Sequence, residues 1–201
     1  MFDGQINKIL KPALNVLAKK LSHFNIQANA VTFLGFLFGL FCFYLVINEM
    51  FIYASIFLFL NRLCDGLDGA LARIVGQTDI GAFYDIVSDF LFYSLFPISF
   101  IFLDIENAYS ICFLLLSFVA TQTTFLASAW IVAKNKLLIP KNQKKSFYYI
   151  GGITEGFETI VCFIMMLLFY EYVNYIAYIF GTLCWITFVT RVNFIRKLLK
   201  S

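Results

Sequence analysis

Four aspartates have spacings that place them on the faces of two neighbouring helices. Asp65 and Asp68 are three residues apart, and Asp85 and Asp89 are four apart, so each pair shares a helix face. The loop at 74–80 is short, which predicts that the two helices pack as an antiparallel pair. We therefore expect the four carboxylates to point into one space.

A cluster of this kind needs compensating positive charge. One aspartate at the centre of a membrane helix costs about 2.5–3.5 kcal/mol, and four close together also repel one another. Ligand sets made only of oxygen suit hard cations such as Mg²⁺, Mn²⁺ or Ca²⁺. Four carboxylates can hold two divalent ions, an arrangement that stabilises attacking and leaving oxygens around a phosphorus atom. The sequence thus indicates metal-assisted phosphoryl chemistry.

Small and basic residues lie among the aspartates. Gly66 and Gly69 have no side chain, so a phosphate or a sugar could approach the helix backbone closely. Arg73, one turn further on, could neutralise a phosphate oxygen. This pattern favours a phosphorylated ligand.

The composition indicates an integral membrane protein. Of the 201 residues, 61% are apolar and 13% are charged, against about 45–50% and about 25% in soluble domains. These values exclude a soluble globular enzyme, a disordered tail and a secreted disulfide scaffold. The five cysteines show no CxxC spacing, so we expect neither a zinc site nor disulfides.

Six apolar segments can supply membrane spans, at 24–48, 50–61, 90–103, 107–133, 159–170 and 172–190. The second, third and fifth reach the required length of about 20 residues only if they include adjacent charged residues. The sequence predicts an all-α fold, in which residues 24–201 form one membrane domain of six transmembrane helices. Residues 1–23 are predicted to form an amphipathic helix on the membrane surface, with a soluble lid helix as the alternative.

The basic residues predict the orientation in the membrane. All 15 lysines and arginines fall before the first span, between the fourth and fifth, after the last, or in the helix ends on that side. By the positive-inside rule, both termini and the aspartates face the cytoplasm, as in a cytoplasmic (inner) membrane protein. The bases form short, separate clusters, so we expect no nucleic-acid partner.

The segment from Asp65 to Asp89 resembles a known family signature. It has the form D-x2-D-G-x2-A-R-x7-G-x3-D-x3-D, in which all eight fixed positions match the signature of the CDP-alcohol phosphotransferase (CDP-alcohol phosphatidyltransferase) family. The resemblance extends to the six-helix plan, the surface helix and the entry to the first span at Asn29–Thr32.

The resemblance implies a reaction and its residues. The hydroxyl of one alcohol attacks the β-phosphorus of a CDP-linked alcohol, and CMP leaves. Asp65, Asp68 and Asp85 are expected to bind two Mg²⁺ or Mn²⁺ ions, and Asp89 to complete this site and act as the general base. The residues expected to hold the CDP portion are Asp65, Gly66, Asp68, Gly69, Ala72, Arg73 and Gly81.

The resemblance also suggests partners. Most small members use lipid-linked CDP-diacylglycerol as the donor, and many are homodimers. The Gly35-x3-Gly39 motif could serve dimer contacts or packing within one chain. Basic residues of the last three helices can hold the phosphate of an acceptor, and Lys145 and Arg191 are the candidates here. The alternative is that these two residues only set the orientation in the membrane and pair with Glu155 or Glu158. An acceptor-binding role favours an anionic alcohol, such as glycerol 3-phosphate or an inositol phosphate, and phosphatidylglycerophosphate-type synthesis.

Three alternatives remain open at the level of sequence. Glu155 and Glu158 would suit an acceptor with an amine, as in phosphatidylserine-type synthesis. Carboxylates inside a membrane also mark cation transporters, although here every such charge lies toward one side. The four aspartates could also have no binding role and only interact with water and lipid headgroups at the helix ends. Arg62 is expected to balance the acidic cluster or to touch the acceptor.

Overall fold

The computed structural model describes residues 3–135 and 152–199, with side chains from residue 10 onward. In these ranges the fold is helical and contains no strand, which confirms the predicted all-α class. The helices are α1 (Asp3–His23), α2 (Ala28–Ile47), α3 (Phe51–Val75), α4 (Asp79–Leu103), α5 (Ala108–Lys134), α6 (Gly156–Leu168) and α7 (Val173–Leu198). Short 3₁₀ turns at Ile105–Asn107 and Tyr170–Tyr172 precede α5 and α7.

The predicted number of six membrane spans is confirmed only in part. Within residues 3–135 and 152–199, four helices, α2, α4, α5 and α7, are long and apolar enough to cross a membrane. Helix α3 has 25 residues but carries the charged residues of the signature, and α6 has 13 residues, fewer than the about 20 that a span needs. For α3 and α6, crossing the membrane remains a prediction.

Helix α1 packs against the bundle through part of its apolar surface. Leu14, Ala18 and Leu21 belong to a core cluster that also includes Ala70 and Leu71 of α3. Other apolar side chains of α1, such as Leu17, are exposed. The helix therefore attaches to α3 and keeps a second apolar face available for the predicted membrane surface.

Helices α2, α3 and α4 approach closely at two glycines. A Cβ atom added to Gly35 would lie 2.9 Å from Cβ of Cys64, and one added to Gly39 would lie 2.7 Å from Cδ2 of Phe92. In addition, Asn61 Nδ2 donates a hydrogen bond of 2.8 Å to the carbonyl of Gly35. The Gly35-x3-Gly39 motif thus packs within the chain, so it is not a surface for dimer contacts.

Phenylalanines anchor α4 in the middle of the bundle. Phe92, Phe96 and Phe100 recur every four residues and are almost completely buried. Phe163 of α6 stacks on Phe96 with 4.2 Å between ring centroids. This packing fixes the helix whose beginning carries Asp85 and Asp89.

We expect Gly39→Ala to lower the melting temperature of the detergent-solubilised protein, because its methyl group would overlap the buried Phe92 ring. Overpacking of this kind costs about 1–3 kcal/mol. Gly69→Ala is the matched control, since its Cβ would meet only Arg73 Nη1, at 3.5 Å. Equal melting temperatures for the two variants would contradict the predicted close contact of α2 and α4.

Candidate active site

A tight connection between α3 and α4 brings the aspartates to one end of the bundle. Gly76 ends α3 with φ of +113°, a conformation that side chains rarely adopt. Thr78 caps α4, and its Oγ1 accepts a hydrogen bond of 3.1 Å from the backbone N–H of Gly81. The chain therefore reverses direction within a few residues, as the short loop predicts.

The four carboxylates converge as predicted. Asp65, Asp68, Asp85 and Asp89 all line one small cavity of 10 Å³, together with Thr32 and Arg62. In the described part of the chain, the acidic group compact enough for a metal comprises Asp65, Asp85 and Asp89, with one oxygen from each within 4.8 Å of the others. The structure thus brings side chains from α3 and α4 into a single site.

Asp68 has a separate partner, which sequence reasoning did not identify. It is 4% exposed, and Thr32 Oγ1 of α2 donates a hydrogen bond of 2.5 Å to its Oδ2. Asp68 lines the same cavity, but it is not one of the three aspartates whose oxygens lie within 4.8 Å of one another. The available signal was a threonine in a largely apolar helix, where a buried hydroxyl can bind a polar side chain of a neighbouring helix.

The donor set fits hard divalent cations. Asp65, Asp85 and Asp89 offer only oxygen ligands, which Mg²⁺, Mn²⁺ and Ca²⁺ prefer. Arg62 forms ion pairs with Asp89 at 2.9 Å and with Asp65 at 3.7 Å, so one positive side chain faces three close negative ones. The excess of negative charge favours a cation at this point.

A larger cavity of 660 Å³ leads to the aspartates. It shares Thr32, Asp68 and Asp85 with the small cavity, so a ligand bound in it would reach the acidic site directly. One wall contains the predicted ligand-binding residues Gly69 and Ala72 of α3, with Gly81 of α4. The other wall was not predicted and runs from the end of α1 through the α1–α2 turn to the start of α2, with Ser22, Asn25, Ile26, Gln27, Ala28 and Asn29.

Gly66 has a different neighbour from the predicted one. A Cβ atom on Gly66 would lie 3.0 Å from Cδ1 of Leu14, so this glycine faces α1 rather than the space for a phosphate or a sugar. Gly69 faces the large cavity, with only Arg73 Nη1 within 4 Å of its added Cβ. Arg73 itself is exposed at the end of α3, where it can approach a ligand beside Gly69.

Of the two predicted acceptor-binding residues, Arg191 lies in the described part of the chain. Lys145 lies outside the described residues. Arg191 of α7 is 9% exposed, and its Nη1 donates a hydrogen bond of 3.1 Å to the carbonyl of Thr121 on α5. Glu155 is close enough to interact with it electrostatically. Arg191 is therefore a buried cation between α5 and α7.

Comparisons with known proteins agree with the signature. A family model described as CDP-alcohol phosphatidyltransferase matches residues 25–192. The inner membrane protein YnjF of Escherichia coli (strain K12) is 42% identical over 96% of this chain and 94% of its own length. An archaetidylinositol phosphate synthase of Pyrococcus horikoshii is 30% identical over 98% of each chain. No solved structure matches the chain.

We expect the purified protein to bind Mn²⁺ and the change Asp85→Asn to weaken this binding at least about ten-fold, because a carboxylate ligand is lost. Isothermal titration calorimetry would measure the affinity. Asp104→Asn is the matched control, since Asp104 lies at the far end of α4 and accepts a hydrogen bond from the N–H of Glu106. Unchanged binding in Asp85→Asn would rule out this residue as a ligand.

Proposed function

Because the chain belongs to the CDP-alcohol phosphatidyltransferase family, we propose that it transfers a substituted phosphate group from a CDP-alcohol to an acceptor alcohol in phospholipid synthesis. The donor is CDP-diacylglycerol, and CMP is released. One observation supports this most directly: the 660 Å³ cavity joins the signature residues Gly69, Ala72 and Gly81 to Asp68 and Asp85. The same cavity could thus hold a nucleotide diphosphate with its phosphates beside the acids.

The metal site of this proposal consists of Asp65, Asp85 and Asp89, with Asp68 beside them. When Mg²⁺ or Mn²⁺ is bound, it would neutralise charge on the diphosphate and so stabilise the leaving CMP. The carboxylates would hold the ions, and Arg73 would meet a phosphate oxygen at the exposed end of α3. Thr32 keeps Asp68 oriented toward the shared end of the two cavities.

Asp89 is the proposed general base. It accepts the proton of the acceptor hydroxyl as the acceptor oxygen forms a bond to the β-phosphorus. The bond between the β-phosphorus and the bridging oxygen breaks, and CMP leaves with the electron pair. Asp89 suits this role because its carboxylate is partly exposed and lies in the compact acidic group.

The acceptor in this proposal is an anionic alcohol such as glycerol 3-phosphate or an inositol phosphate. Arg191 supports it, since it is a buried positive charge on α7 that could attract the phosphate of an acceptor. The relative named archaetidylinositol phosphate synthase makes a lipid of the second type. Both anionic alcohols that the sequence favoured therefore remain candidates, and the name of this relative supports the inositol phosphate.

The amine-headgroup alternative has less support. It depends on Glu155 and Glu158, but these residues form a capping box at the start of α6, where Glu158 Oε2 accepts a hydrogen bond of 3.1 Å from the N–H of Glu155. Their positions follow from the need to satisfy the first N–H groups of the helix. They therefore require no amine ligand to explain them.

The proposed setting is the inner membrane, as for the relative from Escherichia coli. The active site and both termini would face the cytoplasm, where water-soluble acceptors are found. The proposed homodimer would use a surface other than the Gly35-x3-Gly39 face, since both glycines are buried between helices.

We expect Asp89→Asn to abolish CMP release from CDP-diacylglycerol while the protein remains folded in the membrane, because an amide cannot accept the acceptor proton. Asp104→Asn is the matched control, with activity close to that of the parent. CMP release by Asp89→Asn at the parent rate would refute the assignment of the base. Cation flux in liposomes without any cytidine nucleotide would instead support a transporter.

A panel of acceptors would test the substrate proposal. We expect CMP release with inositol phosphate or glycerol 3-phosphate and little with serine. Arg191→Gln should raise the KM for the anionic acceptor about 10–100-fold, because a charge-assisted hydrogen bond is lost, and leave the KM for CDP-diacylglycerol unchanged. Arg196→Gln, a change at an exposed position of the same helix, is the control. Preference for serine would overturn the proposal.

A further inference from the structure

Arg62 lies one helical turn before the signature and is not part of it. Its side chain is 15% exposed, and its guanidinium lies over two aromatic rings of α4, 4.9 Å from the centroid of Phe92 and 5.3 Å from that of Tyr93. A cation at such distances is attracted to the ring faces. Arg62 is therefore held at the junction of α3 and α4.

Each nitrogen of the guanidinium has its own partner. Nε donates a hydrogen bond of 2.7 Å to Oδ1 of Asn61, Nη1 one of 3.2 Å to the hydroxyl of Tyr93, and Nη2 one of 2.9 Å to Oδ1 of Asp89. Asn61 is itself buried and fixed to the carbonyl of Gly35. The planar fork is thus fixed on three sides, which a lysine ammonium could not reproduce.

This arrangement distinguishes the two oxygens of Asp89. Oδ1 is committed to Arg62, so the orientation of the whole carboxylate is set by a side chain of the neighbouring helix. In the described part of the chain, the ion pair of Asp89 with Arg62 is made through Oδ1, and Oδ2 forms no ion pair with a guanidinium. A general base needs one oxygen held at a defined position to meet the acceptor hydroxyl.

We propose that Arg62 is a positioning residue that holds Oδ1 of Asp89 and so directs Oδ2 toward the acceptor hydroxyl. This inference rests on the proposed function, in which Asp89 is the base. The orientation of the Asp89 carboxylate would then require the planar shape of the guanidinium as well as its positive charge.

Arg62→Lys tests whether the shape of the guanidinium matters, because lysine keeps the positive charge but lacks the planar, forked set of N–H donors. We expect kcat for CMP release from CDP-diacylglycerol to fall at least about ten-fold. The KM for the donor and the Kd for Mn²⁺ should stay within about three-fold of the parent values, since the positive charge is retained. Arg196→Lys is the matched control and should change none of these values. A parent-like kcat in Arg62→Lys would overturn the proposal, as would a loss explained entirely by weaker Mn²⁺ binding.

A double-mutant cycle tests the coupling without any catalysis. The variants Arg62→Met, Asp89→Ala and the double change are melted in EDTA, as full-length protein in detergent. We expect Arg62→Met to lower the melting temperature by at least about 5 °C in the parent, and by less than half as much in Asp89→Ala. Additive losses would overturn the pairing. If the parent released no CMP with any acceptor, the proposed function would fail, while this cycle would still decide whether Arg62 holds Asp89.

Discussion

Mutual repulsion of carboxylates is the constraint on which the rest of this structure depends. Two unit charges 4 Å apart interact by about 4 kcal/mol near a protein surface, and here three carboxylates offer oxygens within 4.8 Å of one another. The helices that hold them must therefore be fixed firmly by other interactions. Close glycine contacts between α2, α3 and α4, and the stack of Phe96 on Phe163, supply that rigidity in the apolar half of the bundle.

Polar side chains also hold the helices in place, nearer to the carboxylates. Thr32 from α2 holds Asp68, Arg62 from α3 holds Asp89, and Asn61 links Arg62 to the backbone of α2. Each of these bonds crosses between helices or leads to one that does. Side chains from three helices therefore hold the acidic site together.

Spacing along a helix predicted a large part of this site but not all of it. Residues three or four apart share a face, so the convergence of Asp65, Asp68, Asp85 and Asp89 followed from the sequence. Spacing does not say which neighbour a face meets, so neither the bond from Thr32 to Asp68 nor the wall formed by the α1–α2 turn was predicted. The sequence predicted that Gly66 faces a phosphate or a sugar, but in the structure it faces Leu14 of α1. Consecutive helix residues point about 100° apart, so Gly66 is turned away from the direction of Asp65.

The contact of Gly66 with Leu14 also has an evolutionary consequence. Position 66 is one of the variable places in the signature, since the pattern fixes Asp65, Asp68 and Gly69 but leaves the residues between them open. In this chain its small size makes room for Leu14, whose Cδ1 would lie 3.0 Å from an added Cβ. Among relatives, we therefore expect side-chain volumes at positions 14 and 66 to covary inversely, independently of the substrate that each protein uses.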